Sequence, residues 1–175
     1  PKDSTPPAMY SNIAGLPAKH LSIYERPMAN KRYVISADVS EGIASEKDRH
    51  DNSCADVIDV DTWEQVAHIH GKWEPTEFAK ILDDIGRWYN GGLLVVERNN
   101  HGHAVLGQLI NVLGYPKDYD NEKIGKFGGV YHYIEPGIKV KDKRTLKPGF
   151  HSNIKTKPMI VSNLATAIVE QACKP

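Results

Sequence analysis

Two acidic residues follow short apolar runs in this sequence, where a predicted strand ends. Asp38 follows YVISA and Glu97 follows LLVV. Burying a carboxylate among apolar groups costs free energy unless the carboxylate is paired or binds a cation. If the two strands are neighbours, both side chains emerge at the centre of one sheet and offer oxygen ligands suited to Mg²⁺ or Mn²⁺. Two such ions about 3.5–4 Å apart can clamp a phosphodiester, one activating water and the other stabilising the leaving oxygen.

Each of these acids also has a plainer interpretation. Asp38 or Glu97 could cap its own strand or pair with a base such as Arg98. Asp51, which lies just before the second predicted strand, could reach the same pocket across a hairpin and is a further candidate metal ligand. Taken alone, it is more simply explained as the cap of an Asx-type turn.

Charge is distributed unevenly along a chain whose formal net charge is 0. The segment 41–64 has eight acids and two bases, whereas the segment 139–157 has seven bases and one acid. A basic segment of this kind indicates contact with a phosphate backbone, although a solvated basic loop is the alternative. The candidate DNA-binding residues are Lys139, Lys141, Lys143, Arg144, Lys147 and Lys155.

The apolar pattern predicts the elements that must position these residues. Strands are expected over 33–39, 54–60, 64–70, 93–97 and 130–134, because short apolar or alternating runs there are bounded by turn residues. Helical spacing predicts helices over 78–89, 106–113 and 158–170, the last with Ile160, Val161, Leu164, Ile168 and Val169 facing inward. Three strands joined by short turns, followed by a crossover, predict an α/β fold with a mixed sheet flanked by helices.

Length and composition describe an ordinary globular domain. The 175 residues are 40% hydrophobic and 25% charged, and no apolar run reaches the roughly 20 residues of a membrane helix. Two cysteines without metal-ligand spacing fit a reducing compartment. Residues 1–30 are rich in proline and lack a period, so they are predicted to be a linker or arm that leads into a domain over 31–175. Because the first residue is Pro1, we expect the chain to be part of a longer polypeptide.

Four blocks of this sequence, in order, resemble the nuclease domain of the large terminase subunit of tailed bacteriophages. They are YVISADVSEG from Tyr33, DNS from Asp51, VVERNNHG from Val95, and GFHSN from Gly149 followed by KTKP from Lys155. The resemblance implies a ribonuclease H-like fold, an antiparallel meander plus parallel strands, and a two-metal endonuclease that cuts concatemeric double-stranded viral DNA. By motif position, Asp38 and Glu97 would be the first and second metal ligands and Asp51 an accessory acid.

The same resemblance implies the context of the domain. Lys157, or less directly Lys155, would be the lysine near the catalytic site. A packaging ATPase domain would precede residue 1, and the portal protein and the small terminase subunit would be partners in the host cytoplasm, at the procapsid. The third catalytic acid of the family, an Asp on a late helix, has no counterpart, because only Glu170 follows Asp142. We therefore expect the domain to be truncated before that acid.

Two other interpretations remain open. The chain could be a DNA-binding module that is inactive in this truncated form. It could also be a resolvase or a transposase-type nuclease, which share the ribonuclease H-like fold.

Overall fold

A computed structural model describes residue 16 and residues 19–40, 52–115, 120–121, 125–126, 128–133 and 147–172. The predicted site residues Asp51, Lys139, Lys141, Lys143 and Arg144 lie outside these ranges.

Residues 21–96 form a five-stranded sheet. Its elements are β1 (Leu21–Ile23), β2 (Tyr33–Asp38), β3 (Ser53–Asp59), β4 (Gln65–Gly71), helix α1 (Pro75–Trp88) and β5 (Leu93–Val96). The strand order is β1-β4-β3-β2-β5. Strands β2, β3 and β4 pair antiparallel, whereas β5 returns through α1 to pair parallel with β2.

The second half contributes shorter elements. Helix α2 (Gly102–Gly107) continues into a π-helical segment (Gln108–Val112), and Gly114 then takes a left-handed φ of 60° that ends the helical run. The short strands are β6 (Asp120–Asn121), β7 (Gly125–Lys126), β8 (His132–Tyr133) and β9 (Lys147–Pro148), and they are followed by helix α3 (Thr156–Ala172). None of the helices within the described ranges is both long and apolar enough to span a bilayer.

The two faces of the sheet differ in burial. Alternate residues on one face are buried with α1 and α2 in a single apolar cluster, and we call this the covered face. It includes Ile35, Ala37, Ala55, Val57, Ala67, Ile69, Leu94 and Val96. The intervening residues form the open face, where every side chain is partly or fully exposed. The open face includes Val34, Ser36, Asp38, Cys54, Asp56, Ile58, His68, His70, Leu93, Val95 and Glu97.

The predicted fold class, a mixed sheet with an antiparallel meander and parallel strands flanked by helices, is confirmed. The structure differs from prediction in the segment before residue 31, which was expected to be a linker. Strand β1 pairs there with β4, and Leu21 and Ile23 are buried, so the sheet begins earlier than predicted. The strand expected over 130–134 is interrupted at residue 131 in its described part, which ends at residue 133. Val130 makes one parallel bridge to Leu94, and β8 then pairs with β9.

Helix α3 forms where the sequence predicts a helix, but four of the five side chains expected to face inward are exposed, and the side chain of the fifth, Ile168, lies outside the described part. Ile160, Val161, Leu164 and Val169 are 41–66% exposed. Their spacing does not explain this, because Ile160, Val161 and Leu164 lie within about 100° of one another around the helix and would form one stripe. They stay exposed because, among the described residues, no helix or strand packs extensively against α3.

Candidate active site

The register of the two parallel strands brings Asp38 and Glu97 together. Ala37 pairs with Val96, and the Glu97 amide donates to the Ala37 carbonyl at 2.9 Å. Because Ala37 and Val96 are buried on the covered face, the next residue of each strand points to the open face. Asp38 and Glu97 therefore lie side by side at the C-terminal ends of neighbouring parallel strands, 59 positions apart in the sequence.

The two carboxyl groups lie within hydrogen-bonding reach of each other. Burial raises the pKa of Glu97, and a side-chain hydrogen bond with Asp38 and then the negative charge of Asp38 raise it further. A hydrogen bond with Ser152 and the positive charge of Lys157 oppose this rise in the pKa of Glu97 without cancelling it. The sequence suggested that both acids are buried. Instead, Asp38 is exposed and Glu97 is half-buried, because both lie on the open face.

A second chain segment completes the surroundings of Glu97. The outer edge of β5 pairs first with Val130 and then with Phe150. The Phe150 amide donates to the Val96 carbonyl, and the Arg98 amide donates to the Phe150 carbonyl, both at 2.8 Å. Gly149 permits this close approach through its φ of 81°, because a Cβ there would meet the Val96 carbonyl oxygen at 2.8 Å. The segment that follows, with His151 and Ser152, is thereby held beside the carboxylates.

A tight turn after Glu97 directs the chain away into α2. The Gly102 amide donates to the Asn99 carbonyl at 2.9 Å, and Asn100 adopts a left-handed φ of 45°. A Cβ on Gly102 would lie 1.8 Å from the Glu97 carbonyl oxygen, so only glycine fits. The residue types of the VVERNNHG block are thus partly explained by the turn that fixes the Glu97 backbone.

The side chain of Asn99 contacts Glu97 directly. Its Nδ2 donates to Glu97 Oε1 and to the Ser152 carbonyl, each at 2.8 Å, and its Oδ1 lies 2.9 Å from His151 Nδ1. Asn99, His151 and Ser152 were not identified as site residues from the sequence. Each lies inside a block that resembles the terminase nuclease, and position within those blocks was the only available signal.

Among the bases named from the sequence, Lys157 acts electrostatically on Glu97. Lys157, in the first turn of α3, is exposed and close enough for its charge to act on Glu97. Lys155 is exposed just before α3, and Lys147 is exposed in β9. Arg98 is buried and makes no ion pair with Glu97 within the described ranges, so it does not neutralise that carboxylate.

The donor set fits a hard divalent cation. Two carboxylates meet at the end of a sheet and repel each other, and a cation between them would relieve that repulsion. Among the described residues, no group of three or more His, Cys, Asp or Glu side chains is placed to hold a metal. Cys54, the neighbour of Asp38 in the antiparallel register, does not suit a soft metal. Burial and then the charges of Asp38 and Asp56 raise the pKa of its thiol, which keeps it protonated.

No family model matches this sequence, and no curated protein matches it. Solved structures with a similar fold include the large terminase nuclease from thermophilic phage G20c. Its magnesium-bound structure is 18% identical, with a TM-score of 0.47, over 55% of this chain and 47% of that one. A second structure is 17% identical, with a TM-score of 0.43, over 52% of this chain and 45% of that one. The zinc-bound structure is 19% identical, with a TM-score of 0.43, over 55% of this chain and 52% of that one.

The matched region spans about half the length of those nuclease chains. Matches with these identities and TM-scores assign no role to any residue here. The chemistry of this chain must therefore come from its own side chains, and above all from the pair Asp38 and Glu97.

Proposed function

We propose that this chain is the metal-dependent endonuclease domain of a viral DNA-packaging terminase, and that it cuts concatemeric double-stranded DNA. The observation that carries the proposal is the adjacency of Asp38 and Glu97 at the ends of parallel strands, on the open face. Carboxylates placed in this way repel each other, and their oxygens are the ligands that Mg²⁺ and Mn²⁺ prefer.

In this proposal, Asp38 and Glu97 hold the divalent cations, with Asp51 as an accessory ligand. A bound pair of such ions supplies an activated water and charge stabilisation for the leaving oxygen in phosphodiester hydrolysis. Ser152 and Lys157 oppose the rise in the pKa of Glu97, and a bound cation would favour the ionised carboxylate further. Lys157 is exposed and its charge acts on Glu97, so in this proposal it would also attract the scissile phosphate.

The basic residues would hold the DNA backbone beside the carboxylates. Lys147 precedes the segment that contacts Glu97, and Lys155 follows it. Both side chains are exposed. Lys139, Lys141, Lys143 and Arg144 extend the same run of positive charge in the sequence. Phosphate contacts of this kind position a duplex without reading its sequence. The portal protein, the small terminase subunit and an ATPase domain of the same polypeptide would be the packaging partners, in the host cytoplasm.

The proposal is tested by plasmid nicking with this chain and Mn²⁺ or Mg²⁺. We expect Asp38→Ala to lower the nicking rate by at least about 100-fold, because metal-assisted charge stabilisation is worth several kcal/mol. The matched control is Asp56→Ala, which removes a carboxylate from the same open face one strand away and should retain nicking. Undiminished cutting by Asp38→Ala would reject the assignment.

The alternatives predict different results in the same assay. Salt-dependent DNA binding without metal-stimulated nicking would favour a DNA-binding module. Cutting of branched DNA but not of linear duplex would favour a resolvase.

A further inference from the structure

Asn99 occupies a position in which its amide can have only one orientation. Its Nδ2 faces two oxygen acceptors, Glu97 Oε1 and the Ser152 carbonyl, each at 2.8 Å. If the amide were rotated by 180°, its oxygen would face both acceptors, and two favourable contacts would become repulsive. The amide nitrogen of Asn99 is therefore the group that contacts Glu97.

This orientation also fixes the tautomer of His151. With Nδ2 directed at Glu97, Oδ1 of Asn99 faces His151 Nδ1 at 2.9 Å. An amide oxygen only accepts hydrogen bonds, so His151 Nδ1 must carry the proton and donate it. The result is a continuous chain of donors and acceptors from His151 through Asn99 to Glu97, which joins two segments more than 50 positions apart.

Such a chain matters most for a carboxylate that has a like-charged neighbour. Asp38 repels Glu97, and Glu97 is only half-buried, so its side chain could rotate toward solvent if nothing held it. The hydrogen bond from Asn99 to Oε1 opposes that rotation and holds the carboxylate beside Asp38. Groups that orient metal ligands in this way affect metal affinity although they do not touch the metal.

We propose that Asn99 is a positioning residue that holds the Glu97 carboxylate for cation binding, and that His151 acts through Asn99 by fixing its amide. This inference rests on the proposed function, since it assumes that Glu97 is a metal ligand. It adds two residues that act on the site without contacting the reacting phosphate.

The first test is Mn²⁺ binding, measured from the electron paramagnetic resonance signal of free Mn²⁺ in the absence of DNA. We expect Asn99→Ala to weaken Mn²⁺ binding by about 10- to 100-fold. The matched control is Asn90→Ala, because Asn90 Nδ2 also donates two hydrogen bonds, to the Met28 and Lys31 carbonyls, away from the carboxylates. Asn90 has a left-handed φ of 60°, so its replacement should destabilise the fold at least as much while leaving Mn²⁺ binding unchanged.

The second test separates His151 from a direct role. His151→Ala should weaken Mn²⁺ binding up to about 10-fold, less than Asn99→Ala, because the amide keeps both acceptors of Nδ2 and loses only the hydrogen bond that His151 donates to Oδ1. The double variant should bind Mn²⁺ within about 2-fold of Asn99→Ala alone, since His151 acts only through Asn99. Additive losses would overturn the relay, and Mn²⁺ affinity unchanged in Asn99→Ala would overturn the positioning role.

The same measurements distinguish this inference from the proposed function. If the wild-type chain binds Mn²⁺ but does not cut DNA, the proposed nuclease function fails, while the Mn²⁺ affinities of the variants still decide the role of Asn99. If the wild type cuts DNA and Asn99→Ala matches it in both rate and Mn²⁺ affinity, the nuclease stands and the positioning role fails. His151→Ala provides a second variant in case Asn99→Ala does not fold.

Discussion

The two faces of the five-stranded sheet are built from the same strands but have different tasks. On β5, Leu94 and Val96 are fully buried on the covered face, whereas Leu93, Val95 and Glu97 lie half-buried on the open face. The covered face supplies the burial that holds the strands in register. The open face, with its looser packing, can carry two adjacent like charges. The site therefore depends on the covered face for its geometry but contributes little to stability itself.

The largest difference between the two faces is expected for a matched pair of adjacent leucines. Leu94→Ala should lower the free energy of unfolding by about 2–5 kcal/mol, because it leaves a cavity in the covered face. Leu93→Ala should cost less than about 1 kcal/mol, because the side chain is already partly in water. Urea unfolding at neutral pH measures both variants. Equal losses would show that the open face is covered in the folded protein, and would contradict the distinction.

A second test concerns an acid that is buried at the edge of the covered face. Asp59 pairs with Lys31 and also accepts the Asp61 amide at 2.9 Å. Burial alone would raise the pKa of Asp59, but the hydrogen bonds from Lys31 and from backbone amides outweigh it and lower the pKa below its ordinary value. A carboxyl whose pKa is lowered by folding stabilises the protein above its unfolded pKa of about 3.9. That contribution is lost as the pH falls through the folded-state pKa.

We therefore expect Asp59→Asn to lower the free energy of unfolding by about 1–2 kcal/mol at pH 7. The difference from wild type should shrink as the pH is lowered from 7 toward 2, because Asp59 loses its charge as the pH falls through its folded-state pKa. Asp61→Asn is the control, because its pair with Arg32 is exposed and worth less than about 1 kcal/mol. Urea unfolding at both pH values measures the two variants, and a difference for Asp59→Asn that does not change with pH would contradict the assigned role of the ion pair.

The sequence predicted the pairing that forms the site because the signal was local and strong. YVISA and LLVV are apolar runs that each end in an acid, and a crossover through α1 makes them parallel neighbours. The alternation of a strand then determines that both acids share a face. Whether that face is buried depends on which other elements pack against it. The alternation of residues along a single strand does not predict that packing. Asp38 was for this reason expected to be buried and is exposed.

The elements that were missed depend on partners distant in the sequence. Leu21, Ser22 and Ile23 are too few to show a period, and they become a strand only because the edge of β4 accepts them. Asn99 orients Glu97 through contacts with residues 151 and 152, which the chain brings back beside β5. In α3, apolar residues predicted a helix correctly but not its environment. Local pattern thus predicts elements, whereas long-range hydrogen bonds and burial require the fold.

The smallest expected effect concerns the stability of the open face itself. If Asp38 and Glu97 are held together for function, their repulsion should cost stability when no cation is bound. Asp38→Asn should then raise the free energy of unfolding at pH 7 with EDTA by less than about 1 kcal/mol, because solvent screens charges on a partly exposed face. Thermal or urea unfolding measures the gain, and the same variant should lose nicking.

A double-variant cycle makes this last prediction specific to the pair. Glu97→Gln should give a similar small gain, and combining it with Asp38→Asn should add almost nothing, because either change alone removes the one repulsive contact. Additive gains would mean that each carboxylate is destabilised independently by its surroundings. A loss of stability in Asp38→Asn would mean that the two carboxyls share a favourable hydrogen bond. The open face would then contribute to folding, as the covered face does, and the division of tasks between the two faces would no longer hold.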